Sequence, residues 1–167
     1  MTDQNSLKRV RDSARKLGLT IDILEMPKST RTAVQAAAAC NCQISQIVKS
    51  LIFTDSDNGG LILFLIAGEN EINLSGTENF LKTKLIRAEP REIRQKTGFA
   101  IGGISPIGHL SVLPVYLDSR LLDFETVWAA AGTPNSVFSV NPSILGEKTG
   151  AIELPPNCLT PSSSPKV

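Results

Sequence analysis

Lys49 stands in register with Ile47, Leu51 and Phe53 on one face of an extended segment whose other members are apolar. A buried ammonium is costly unless a partner compensates it, which suits a lysine that holds a phosphate or carbonyl oxygen. An edge position from which the long stem snorkels to water fits the same pattern. Further along, Thr97-Gly98-Phe99-Ala100-Ile101-Gly102-Gly103-Ile104-Ser105-Pro106-Ile107-Gly108-His109 sets four glycines around one proline. Glycine allows a ligand close to backbone N–H groups and proline fixes its own φ. The stretch therefore reads either as a rigid main-chain cradle for something small and polar or as a tight helix-to-strand connection. Its spacing fits neither the GxGxxG dinucleotide fingerprint nor the GxxxxGKS/T phosphate loop.

Other reactive side chains are few. His109 is the single imidazole and has no evident Ser/Asp pairing for a triad, so a structural role is the commoner reading. Cys40, Cys42 and Cys158 contain no CxxC pair, which supports neither a disulfide framework nor a zinc site. Cys40 ends an alanine-rich helix, where a small apolar thiol is common. A second glycine loop, Gly132-Thr133-Pro134-Asn135, follows Trp128-Ala129-Ala130-Ala131, whose small side chains leave room for a pocket wall or for close packing of layers. Thr30, Arg31 and Thr32 form either a plain approach to a helix or a polar lip over a site.

The elements that must position these residues follow from periodicity and punctuation. Leu7, Val10, Ala14 and Leu17, with Gly18 after them, predict an amphipathic helix from Asp3 to Leu17. A short strand is expected from Leu19 to Leu24, and Thr32 with Gln35 forms a capping box for the alanine-rich helix. The segment around Lys49 pairs across the turn Asp57-Asn58-Gly59-Gly60 with Leu61 to Ala67, an unbroken apolar run that reads as a strand covered on both faces. Asn73 or Ser75 caps a helix ending at Leu81, and Pro90 opens another that Gly98 stops. Val112 to Asp118, Thr126 to Ala131 and Ser136 to Val140 read as strands, and Asn141-Pro142-Ser143 starts a last short helix before Gly150.

The chain has 167 residues, 17 basic and 16 acidic, for a net charge of +1. That balance excludes a protein that coats a nucleic-acid backbone by bulk charge, while leaving room for a local contact to one end of an RNA. Residues 1–156 are expected to form one domain and 157–167 a disordered Ser/Pro-rich tail. No apolar run is long enough to span a bilayer, and the start lacks a signal peptide's basic and apolar regions, so a soluble, cytoplasmic protein is expected.

Taken in order, Ser29-Thr30-Arg31-Thr32-Ala33, Gln46-Ile47-Val48-Lys49-Ser50-Leu51, Gly98 through His109, and Gly132-Thr133-Pro134 resemble the YbaK/EbsC family. The resemblance runs from about Thr30 to Gly150. It implies an α/β (α+β) fold with a mixed, largely antiparallel, barrel-like sheet surrounded by helices. It also implies a trans-editing aminoacyl-tRNA deacylase, a free-standing relative of the prolyl-tRNA synthetase editing domain, with no cofactor and no metal. Lys49 matches the family's site lysine, and Gly102-Gly103-Ile104-Ser105-Pro106 its GxxxP loop. The expected catalytic set is Lys49, Gly102 and Gly103, with the backbone N–H groups of the two glycines facing the ester carbonyl. Thr30, Arg31, Thr32, Ser50, Ile104, Ser105, Pro106, His109, Gly132 and Thr133 are expected to bind substrate. Alanine-specific members carry asparagine after the lysine where this chain has Ser50, so the reading stops at a small amino acid (Ala, Cys, Ser or Thr). The implied partners are the acceptor end of mischarged tRNA and an aminoacyl-tRNA synthetase. Lys28, Arg31, Lys82, Lys84 and Arg87 are either contacts to the acceptor stem or, the commoner case, solvated surface charges. A non-catalytic, synthetase-associated binding module and an esterase using Cys40 or His109 are the rival readings.

Overall fold

The computed structural model describes residues 3–162. In chain order the elements are α1 (Asp3–Leu17), β1 (Ile23–Glu25), α2 (Ala33–Cys40), β2 (Ile47–Asp55), β3 (Leu61–Ala67), β4 (Asn70–Ile72), α3 (Leu74–Leu81) and β5 (Leu85–Arg87). They continue through α4 (Pro90–Thr97), β6 (Val115–Leu117), β7 (Val127–Ala130), β8 (Ser136–Val140), α5 (Pro142–Thr149), β9 (Ile152–Glu153) and β10 (Leu159–Pro161). Local chemistry sets the helix boundaries. Thr32 Oγ1 accepts from Gln35 N–H while the Gln35 side chain accepts from Thr32 N–H, closing the expected capping box on α2. The side chains of Asn73 and Asn141 cap α3 and α5 by accepting from Gly76 N–H and Ile144 N–H, and left-handed Gly98 and Gly150 end α4 and α5.

The main sheet runs β1-β8-β7-β2-β3-β6-β9, with β5 added beside β2. It is mixed and largely antiparallel, as expected, but it does not close into a barrel among the described residues. Every residue of β3 is buried. Leu61, Leu63, Leu65 and Ala67 face one apolar cluster with α1, and Ile62, Phe64 and Ile66 face a second with Leu85, Leu154 and Cys158. Period-two alternation thus splits one continuous apolar run between two cores, which is why no polar position interrupts it.

The edge of β2 explains where a site can form. One side of β2 pairs with β3 from Val48 to Thr54. The other pairs with β7 only at Ile47 and Val48, and with β5 only from Phe53 to Asp55. Between those two partners, Lys49 to Ile52 meet no strand on that side among the described residues.

The first part of the expected tail carries structure: Pro156–Cys158 form a 3-10 turn and β10 pairs antiparallel with β4; the rest of it, residues 163–167, lies outside the described residues. Fully buried Cys158 anchors this end in the second core, and its carbonyl accepts from Asn73 N–H and Thr77 Oγ1. The composition of the tail concealed that anchor.

Candidate active site

A cavity of about 390 Å³ opens against the unpaired edge of β2. Its walls come from the loop into α2 (Thr30, Arg31, Thr32), from β2 (Lys49, Ser50), from the glycine loop (Gly102, Ile104) and from β7 (Trp128, Ala129, Ala130). The volume suits a small ligand or one end of a larger one. The small side chains of Ala129 and Ala130 form part of the wall, so at β7 the alanine run makes space for the cavity.

Lys49 is half-buried and its Nζ donates to the carbonyl of Asn70 at the start of β4. Burial lowers its pKa from the usual lysine value, while the carboxylates of Glu71 and Asp118 act in the opposite direction. The next residue, Ser50, carries a buried Oγ with no hydrogen-bond partner among the described residues. A buried hydroxyl left without a hydrogen bond carries an uncompensated desolvation cost.

Gly102 borders the cavity with φ +95, and a β-carbon there would lie 2.6 Å from Arg31 Cγ. Glycine is required on both counts, since the conformation is left-handed and the side chain of Arg31 occupies the space. Gly103 is differently employed. Its N–H donates to Ala100 O at 3.0 Å, and its α-carbon packs on the Thr133 backbone. The expected pair of glycine N–H donors therefore reduces to Gly102, because the Gly103 N–H closes a turn.

Hydrogen bonds tie the wall residue Thr30 to the second glycine loop. Thr30 N–H and Oγ1 both bond Pro134 O, at 2.8 and 3.2 Å, and Met26 N–H bonds Asn135 O at 2.7 Å. The approach to α2 is thus fastened to the second glycine loop. Within that loop buried Thr133 donates through Oγ1 to Ser136 Oγ at 2.6 Å, and Gly132 at φ +106 leaves room for Phe99 and Ser6. Ser105 and Pro106 are buried, and Ser105 Oγ accepts from Ile107 N–H.

His109 Nε2 is 2.6 Å from Ser105 O, which assigns the proton to Nε2 because a carbonyl can only accept. The ring packs edge-on to Phe99, whose face carries Arg9. Burial is the main cause that lowers its pKa, with Arg9 adding to it and the Ser105 hydrogen bond opposing. Gly103, Ser105, Pro106, His109, Gly132 and Thr133 do not line the cavity.

Cys40 does not line the cavity either, and burial with Cys42 nearby pushes its thiol up to about 11. Such a thiol is a poor nucleophile near neutral pH. Sequence reasoning missed Gly68, where a β-carbon would sit 2.2 Å from Ile44 O, and it did not place Ser162, which borders the cavity from the end of the chain beyond β10. Neither carries a local sequence signal. Both reach the site through tertiary folding.

Comparisons with known proteins bear on the family of the chain and on its fold. Residues 27–146 match the family described as the aminoacyl-tRNA editing domain. The uncharacterized protein YwhH of Bacillus subtilis strain 168 is 34% identical over 142 residues, which is 85% of this chain and 90% of that protein. The proline–tRNA ligase of Thermosipho africanus is 35% identical over 81 residues, covering 48% of this chain but only 14% of the ligase. A crystal structure assigned provisionally as a trans-editing enzyme for prolyl tRNA synthetase superposes with a TM-score of 0.83 at 42% identity, covering 89% of this chain and 94% of that one.

Proposed function

Because this chain belongs to the aminoacyl-tRNA editing domain family, we propose that it hydrolyses, in trans, the ester of tRNA mischarged with a small amino acid, on tRNA for proline or a related tRNA. The observation that carries the reading is the convergence of Lys49, Ser50, Arg31 and Gly102 on one cavity of about 390 Å³. Likeness to ligases for proline and to a structure assigned to prolyl-tRNA editing supports the choice of tRNA.

An aminoacyl ester is already activated, so the protein has only to place a water and stabilise the oxyanion. The water oxygen adds to the ester carbonyl carbon. Its proton passes to the departing ribose oxygen as the C–O bond breaks, and the neighbouring ribose hydroxyl orients the water. Lys49 binds an oxygen of the 3′ end as a cation, Gly102 N–H faces the carbonyl oxygen, and Ser50 Oγ bonds the aminoacyl moiety or the ribose. Arg31, exposed at the rim, meets the phosphates. Selectivity rests on cavity size, which separates substrates differing by a methylene by only about 1–3 kcal/mol, so several small amino acids are accepted.

The test is multiple-turnover deacylation of tRNA for proline charged separately with alanine, cysteine, serine or threonine, together with correctly charged tRNAs. Wild type is compared with Lys49→Ala. Turnover on one or more mischarged tRNAs, lost in the folded variant, supports the reading. Full turnover in Lys49→Ala removes Lys49 from the mechanism. Saturable protection of the ester without turnover favours a binding module.

A further inference from the structure

We propose that Asp118 is a positioning residue for Lys49, acting through Asn70. The inference rests on the deacylase reading for its catalytic consequence, but the link itself is structural. Asp118 follows β6 and is 1% exposed. Its Oδ2 accepts from Ala67 N–H at 3.0 Å and from Asn70 Nδ2 at 2.9 Å, and its Oδ1 accepts from Arg120 N–H at 2.9 Å. The main-chain carbonyl of that same Asn70 receives the Lys49 ammonium.

Three N–H donors converging on one buried side chain require a group that only accepts, and the ionised carboxylate is that group. An asparagine in its place would turn an NH₂ toward at least one donor. The carboxylate therefore fixes the turn from Ala67 to Asn70 between β3 and β4, and with it the carbonyl that aims Lys49. Arg120 reinforces the turn from outside, its Nε lying 2.6 Å from Glu69 Oε1. Ser162 N–H donates to Glu69 O at 2.7 Å, tying the cavity-lining end of the chain to the same turn.

The charge of Asp118 also acts on Lys49 through space. Glu71 on β4 is the other carboxylate facing the ammonium. The paired residues of β3 and β7, Ile66, Trp128 and Ala129, bring no charge beside this part of β2. A buried carboxylate here thus serves both the geometry and the protonation of the lysine, two effects that a purely architectural aspartate would not link.

The experiment compares Asp118→Asn with wild type in two readouts. In lysine-¹³C-labelled protein the Lys49 resonance, identified by its loss in Lys49→Ala, is titrated with alkali. Asp118→Asn should move the midpoint to lower pH; an unmoved midpoint overturns the proposal. In deacylation, Asp118→Asn should lower kcat with KM little changed, by up to about a hundredfold for a misplacement near 1 Å. On a Lys49→Ala background the same substitution should lower activity no further. Equal losses in both backgrounds would mean a structural role only and would overturn the proposal.

If Asp118→Asn does not fold, Asn70→Ala takes its place, since it removes the amide that Asp118 holds while leaving the two backbone donors. A kcat loss confined to the Lys49 background supports the proposal and an unchanged kcat overturns it. If wild type deacylates nothing, the functional reading fails, while the Lys49 titration still decides whether Asp118 governs the lysine.

Discussion

The α-carbon of Gly102 faces the side chain of Arg31 so closely that a β-carbon would fall 2.6 Å from Cγ and 2.8 Å from Nε. The glycine loop and the approach to α2 therefore meet through one missing methyl group, and the cavity lies between them. Gly102→Ala must displace Arg31 and strain a backbone at φ +95. Deacylation is expected to fall roughly tenfold or more, since small displacements of positioning groups carry large kinetic losses. Gly59→Ala is the control. Gly59 has φ +73 but nothing within 4 Å of the new β-carbon, so it carries comparable strain without touching the site. Its Tm should fall with activity per folded molecule unchanged; equal activity losses in the two variants would remove Gly102 from the site.

Lys49 predicts an alkaline limit to activity. Burial lowers its pKa, only partly opposed by Glu71 and Asp118, so the ammonium loses its proton below the ordinary lysine range. If the charged form holds the substrate, kcat/KM falls as pH rises through that lowered value. Lys49→Arg, whose guanidinium stays protonated, should show no such fall at whatever activity it retains. A pH–rate profile of the two proteins, corrected for spontaneous ester hydrolysis, measures this, and identical alkaline limbs would count against a charged Lys49.

Much of this arrangement was legible in the sequence, for identifiable reasons. Thr32 with Gln35, Asn73, Pro90 and Gly98 act within one or two turns of chain, so their caps and stops could be read directly. Lys49 stood out because its neighbours on the same face are apolar. Strands β4, β5, β9 and β10 are two or three residues long and exist because a partner pairs with them, which no local pattern records. The glycine loop was legible as shaped backbone, but the division of labour within it was not. Gly102 borders the cavity and Gly103 spends its N–H on Ala100, a difference that depends on where Arg31 and Thr133 come to lie. Asp118 gave no signal at all, being one carboxylate after one strand until folding brings Asn70 against it.

His109 predicts acid sensitivity of the fold. In the unfolded chain the imidazole titrates at its ordinary value, while in the folded protein burial, helped by Arg9 and opposed by Ser105 O, holds the pKa lower. Between those two values the unfolded chain binds more protons, so stability is full above the ordinary histidine pKa and declines as pH falls toward the folded value. Denaturant unfolding followed from about pH 7 to pH 5 should show this decline. His109→Gln should be less stable at neutral pH but flatter across that window; an unchanged slope would mean that other groups cause it.

Ser50 predicts opposite effects on stability and activity. Its Oγ is buried without a partner among the described residues, a state that costs about 1–3 kcal/mol in desolvation when no hydrogen bond compensates it. Ser50→Ala removes that penalty with little loss of volume, so the free protein should become more stable by roughly 1 kcal/mol, read as a higher denaturant midpoint. If the hydroxyl is kept for a ligand, the same variant should lose kcat/KM by roughly three- to tenfold, the worth of one neutral hydrogen bond. A stabilised variant with undiminished activity would make Ser50 a tolerated imperfection of packing. A destabilised one would mean that the hydroxyl is satisfied in solution, and the cavity would then have to recognise its ligand through Lys49, Arg31 and Gly102 alone.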